Sequence, residues 1–196
     1  MTYCVAGLDP SLTAFGIAII PAAAGPAALT RVTPRLRGHE RLDLLLGTIT
    51  THCAAADLVV VEGLAYGAKG DAVTALAGLH WLVRHHLWTL RLPYAVVPPA
   101  LRGPYLGLPG NADKDQVLAA AIRRFPDAPI SSNDTADAMI LAAMGRHWLG
   151  DPVVPMPGYA TALLTATCTD KRRRGQPKIG WPDLGQRPVP AQELLA

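Results

Sequence analysis

Aromatic residues make up only 6% of the 196 residues and charged residues only 17%, so any core must be packed mainly from aliphatic side chains, and the chain is half hydrophobic. No uninterrupted apolar run is long enough to cross a bilayer, and no basic start followed by an apolar signal core precedes the first strand pattern. A membrane or exported protein is therefore not expected. Three cysteines, Cys4, Cys53 and Cys168, are odd in number and lack paired metal-ligand spacing, which argues against a disulfide framework and a zinc site and suits a reducing cytoplasm.

What is present is a repeated pattern of short apolar runs that end in an acid. Residues 5–9 close on Asp9, turn through Pro10, Ser11, Leu12 and Thr13, and return as residues 15–20, which predicts a hairpin with Asp9 at the strand end. A buried strand rarely tolerates an unpaired carboxylate, so Asp9 either caps the turn or binds something. Residues 29–36 read as a weaker strand broken by Pro34 and placed at the sheet edge. Residues 57–62 are a continuous β-branched run closing on Glu62, as expected of a strand covered on both faces. The Gly-rich stretch after it carries Tyr66 and Lys69; Tyr66 is an ordinary loop anchor or an aromatic that stacks on unpaired bases.

Helical spacing appears at 40–53 and at 71–90, where Leu76, Leu79, Val83, Leu87 and Leu90 form one stripe while Trp81 and Trp88 lie off it. Two apolar faces predict two buried contacts, one with the sheet and one with a second subunit. His80, His85 and His86 show no ligand arrangement. Residues 94–97 form a short strand, and the segment 100–110, with Arg102, three glycines and two prolines, reads as a loop near the same sheet end. Asn111 or Asp113 caps the next helix with Lys114 in its first turn, where a cation opposes the helix dipole. A last helix opens after Ser131 and Ser132 and carries Asp134 and Asp137. At this spacing both share one face, close enough to serve a single metal site, although first helical turns are commonly acidic for capping reasons alone. Its small-residue run, 136–143, allows a close approach to a neighbour.

The organisation expected is one folded unit over 1–150 and a Pro-rich, basic, extended tail over 151–196, partly disordered, without durable periodicity apart from an apolar patch at 160–164. Lys171, Arg172, Arg173 and Arg174 form its cationic cluster, either a solvated charge run or an arm for phosphates. The formal charge is +3, and it rises if Asp9, Glu62, Asp134 and Asp137 are neutralised by bound cations, which suits a polyanionic partner without requiring one.

The element order, the segments at 7–16, 59–62 and 111–117, and the run Asn133, Asp134, Thr135, Ala136, Asp137 and Ala138 together resemble the RuvC-type Holliday junction resolvases, including phage and actinobacterial relatives. That resemblance implies an α/β, ribonuclease H-like fold, with a mixed five-stranded sheet flanked by helices. It also implies a homodimeric, metal-dependent endonuclease that nicks opposing strands of four-way DNA junctions in recombination and repair. Asp9, Glu62, Asp134 and Asp137 fall on the family's metal-binding acids and Lys114 on a basic residue near them. Tyr66 lies where members meet the junction. Lys69, Arg102, Lys114 and the 171–174 cluster are the expected DNA contacts.

Elementary electrostatics agrees with cations. Two unit charges about 4 Å apart interact by roughly 4 kcal/mol at an effective dielectric of 20, so four gathered carboxylates call for positive charge. Oxygen ligands favour two Mg²⁺ ions, with Mn²⁺ able to substitute, over zinc. Sugar kinases and related ATPases share the fold, but they need two such domains and a phosphate-binding fingerprint that is not here. A non-cleaving junction-binding protein would be expected to lack an acid. A flap or fork nuclease of the same fold is the remaining alternative.

Overall fold

The computed structural model describes residues 2–64, 71–169 and 173–184. The hairpin forms as the alternating runs predict: β1 (Val5–Asp9) and β2 (Phe15–Ile20) pair antiparallel, with Asp9 opposite Gly16. β3 (Ala28–Val32) ends before Pro34 and lies on the outer side of β2. After α1 (Gly38–Cys53), β4 (Leu58–Glu62) runs parallel to β1, so Asp9 and Glu62 leave adjacent strands at the same end. α2 (Asp71–Thr89) then leads to β5 (Tyr94–Val97), parallel to β4. The strand order β3-β2-β1-β4-β5 completes the mixed five-stranded sheet expected.

Alternation along the strands sends side chains to two separate cores. Leu8, Ile17, Val59 and Val61 pack with Leu45 and Ile49 of α1 and with Leu79, Val83 and Leu87 of α2. Val5, Ala18, Val60 and Val97 face the opposite way, against the helix α5 (Asn133–Trp148). Both faces of the central strands are therefore dry, which is why β4 reads as an unbroken apolar run.

α5 is the element that places the site. Ser132 caps it, accepting from the Thr135 backbone N–H, while the Thr135 hydroxyl accepts from the Ser132 N–H. Its small residues let its backbone lie directly on the sheet. A Cβ at Gly7 would stand 2.0 Å from the Ala138 carbonyl oxygen, and one at Gly16 would stand 2.1 Å from that of Asp134. Glycine at these two strand positions is thus required by helix approach rather than by backbone angle.

Two expectations are corrected. Segment 100–110 is not a simple loop: Pro99–Leu101 makes a 3-10 turn, begun by proline at its first position, and continues into the short helix α3 (Arg102–Tyr105). The Tyr105 hydroxyl donates to the Ala143 carbonyl oxygen at 3.2 Å, tying α3 to α5. Nor is the chain extended throughout beyond residue 151. After α4 (Lys114–Arg124) and α5, residues Gly158–Leu164 form α6, whose Ala160 and Leu164 are buried four residues apart. Ile179 is also buried, and Trp181 stacks on Trp148 with ring centroids 4.7 Å apart. An apolar segment of seven residues, too short to show a period, still finds the α5 face of the core. Buried Arg146 anchors the start of this region, donating to the carbonyl oxygens of Tyr3 and Pro21 and pairing with Asp151. No helix among the described residues is long and apolar enough to cross a membrane.

Candidate active site

Three elements bring four carboxylates to one end of the sheet. Asp9 ends β1, Glu62 ends β4, and Asp134 and Asp137 occupy the first two turns of α5, which the glycine contacts press against the hairpin. Asp9 is only 9% exposed and lies beside the Glu62 side chain. Burial, then the Glu62 carboxylate beside it, pushes Asp9 up to about 9, so it keeps its proton through neutral pH. Burial likewise raises Asp137 to about 6, against the pull of Arg102. Asp134 also acts electrostatically on Asp9.

The charge is compensated by two arginines from opposite sides. Arg102, at the start of α3, reaches inward between two acids: Nη2 lies 2.8 Å from Glu62 Oε1, and Nη1 pairs with Asp137. The Glu62 contact is an ion pair by distance, but Oε1 is buried and has no hydrogen bond. Arg31 of β3 donates from Nε to Asp134 Oδ2 at 2.6 Å. With the guanidiniums so placed, no three His, Cys, Asp or Glu side chains among the described residues converge closely enough to chelate one ion. The sequence places Arg102 on a loop as a DNA contact; in the structure its charge is turned inward by the acids it faces.

Lys114 is the first residue of α4, exposed behind the Asp113–Gln116 capping box. It lines a small hollow with Arg102, Asn133 and Asp137, and its charge lowers Asp137. Tyr66, Lys69, Lys171 and Arg172 lie outside the described residues, while Arg173 and Arg174 are exposed on a turn.

Three neighbours of the site carry no role that the sequence alone reveals. His80 donates from Nε2 to the Glu62 carbonyl oxygen and is kept neutral by burial, which fixes the end of β4. Asn133 presents a buried Oδ1 without a partner next to Asp137. Arg31 stands opposite Gly16, which stands opposite Asp9, so its place by the acids depends on strand register. A lone cation in a short edge strand is the only sequence signal for it.

No protein-family model and no curated protein matches the chain. Solved structures do. Thermus thermophilus RuvC aligns with a TM-score of 0.58 at 19% identity, covering 76% of this chain and 98% of that one. The fold is that of RuvC. T. thermophilus RuvC in complex with Holliday junction substrate gives a TM-score of 0.59 at 15% identity, covering 77% of this chain and 99% of the other. Nearly all of RuvC is thus matched, while about a quarter of this chain falls outside the alignment.

Proposed function

We propose that the chain is a metal-dependent, structure-selective DNA endonuclease that resolves four-way junctions by paired nicks, acting as a homodimer in the cytoplasm. The observation that carries this is the placement of Asp9, Glu62, Asp134 and Asp137, from three elements, at one end of a RuvC-fold sheet.

The donor set suits a hard divalent cation. All four side chains offer oxygen, Glu62 Oε1 is buried without a hydrogen bond, and burial together with the facing Glu62 carboxylate raises the Asp9 pKa. Bound Mg²⁺, or Mn²⁺ in its place, would polarise the scissile phosphodiester and its attacking water. The four acids would be the ligands, with Asp9 giving up its proton on binding. Arg102 and Arg31 are the cations these ions would displace, and both guanidiniums would then be free to meet substrate phosphates. Lys114 adds charge on the Asp137 side. His80 holds Glu62 in position from behind. DNA binding is assigned further to Tyr66, Lys69 and the cluster Lys171, Arg172, Arg173 and Arg174. Trp81, 64% exposed, and its neighbour Leu82, 38% exposed, support a subunit contact on the outer face of α2.

The deciding experiment compares a four-way junction, a flap, a fork and plain duplex with Mg²⁺ present. Near-symmetric nicks on the junction are expected, abolished by Asp9→Asn, Glu62→Gln, Asp134→Asn or Asp137→Asn while DNA binding survives. Full nicking by two of these variants would overturn the assignment, and activity on flaps with indifference to junctions would replace it by the flap and fork alternative.

A further inference from the structure

A second hollow, of about 460 Å³, lies along the β5 edge of the sheet, between α2 and the segment that returns after α6. Its wall carries three cationic side chains, Arg84 from α2 and Arg173 and Lys178 from the returning segment, and no Asp or Glu among the described residues lines it. Arg84 is held between two aromatic rings: its guanidinium lies 4.4 Å from the Trp81 ring centroid and 5.9 Å from that of Tyr94, and its Nε is buried without a partner. The returning segment is fixed as well. The Lys178 N–H donates to the Ala166 carbonyl oxygen at 2.8 Å, Ile179 is buried, and Trp181 stacks on Trp148. Because Ile179 and Trp181 join the α5 core while Lys178 faces α2, the segment passes around the β5 edge and joins the two faces of the sheet. Gly63, Leu64 and His80 line this hollow and also the adjoining one that contains Glu62 and Arg102. The basic groove and the carboxylate cluster are therefore continuous.

We infer that this groove is a nucleic-acid backbone site, in which Arg84, Lys178 and Arg173 take phosphates of the DNA strand whose neighbouring phosphodiester lies at the carboxylates. The inference deepens the nuclease reading and rests on it. A guanidinium already held against an aromatic ring offers its N–H donors to a phosphate with little ordering cost, and Lys178 supplies a point charge from the facing wall. The returning segment thus contributes to substrate binding through a fixed wall.

Binding is measured in EDTA, where nothing is cleaved, by fluorescence anisotropy of a labelled single strand and a labelled four-way junction across a KCl series. Arg84→Gln with Lys178→Gln should weaken both ligands at least about tenfold and reduce the salt slope by about 1 for each phosphate that no longer meets a cation. Lys178→Gln alone, which leaves the packing around Trp81 untouched, should give a smaller change of the same sign, and Lys178→Arg should restore it. Trp81 emission titrated with the oligonucleotide and with inorganic phosphate separates a strand from a small anion. Saturation by inorganic phosphate at the oligonucleotide's concentration would overturn the strand assignment. An unchanged salt slope in the double variant, with junction nicking in Mg²⁺ intact, would overturn the groove and leave the nuclease reading standing. No nicking of any substrate by the unaltered protein, with the slope effect present in the double variant, would do the reverse.

Discussion

Asp9 carries its proton into the folded state, and this has a measurable sign. The unfolded chain ionises it near 3.8, whereas the folded one holds it to about 9, so the native state binds the extra proton between those values. The contribution of Asp9 to the stability of the metal-free protein is then greatest below the lower value and falls as pH rises across the window. Asp9→Asn should remove that slope and raise the metal-free Tm at neutral pH by at least about 3 °C, read by calorimetry in EDTA. An Asn variant less stable than its parent at pH 8 would contradict the burial argument. Arg102 makes the complementary case. With its guanidinium between Glu62 and Asp137, Arg102→Gln leaves both acids uncompensated, so metal-free stability should drop while Mn²⁺ affinity, followed by electron paramagnetic resonance, rises about tenfold or more. Weaker Mn²⁺ binding would show that Arg102 supports the ions rather than standing in for them.

At the scale of elements, α5 and its two strands decide whether the site forms. A methyl added at Gly7 would meet the helix backbone at 2.0 Å from the Ala138 oxygen and 2.6 Å from the Ala142 nitrogen, neither of which can rotate away. Gly7→Ala should therefore cost about 3 kcal/mol or more in urea unfolding and reduce activity by shifting Asp134 and Asp137 away from Asp9. Gly145→Ala, whose nearest neighbours are side-chain carbons of Val60 and Val5, should cost less. The same packing explains which features are legible in the sequence. Strand ends marked by Asp9 and Glu62, a capped helix with Asp134 and Asp137, and a small-residue run are local patterns, and each implies its own placement. Arg31 and Arg102 cannot be located that way, because one depends on the register of an edge strand and the other on a helix of four residues preceded by two prolines. α6 is hidden for a related reason: seven residues with two buried positions carry no period.

For the whole molecule, the region beyond 151 supplies packed side chains from its described residues, among them Ala160, Leu164, Ile179 and Trp181. Its Pro-rich sequence predicts that removing residues 165–196 leaves the fold unaffected, but the deletion would take away buried Ile179 and uncover the Trp148 face. A loss of about 3 kcal/mol or more in unfolding free energy is expected, along with weaker DNA binding. Truncation after residue 184 retains every packed residue described and should leave stability within about 0.5 kcal/mol. Sedimentation at micromolar concentration should return a dimer, and Trp81→Glu should shift it toward monomer without unfolding it. The stacked indoles of Trp148 and Trp181 have an optical consequence. Two of the four tryptophans stack with ring centroids 4.7 Å apart, close enough for their strong far-ultraviolet transitions to couple, so a circular dichroism band from the pair is expected. That band vanishes when the returning segment lifts from α5, so the molecule carries its own spectroscopic gauge of whether the wall of its basic groove is seated.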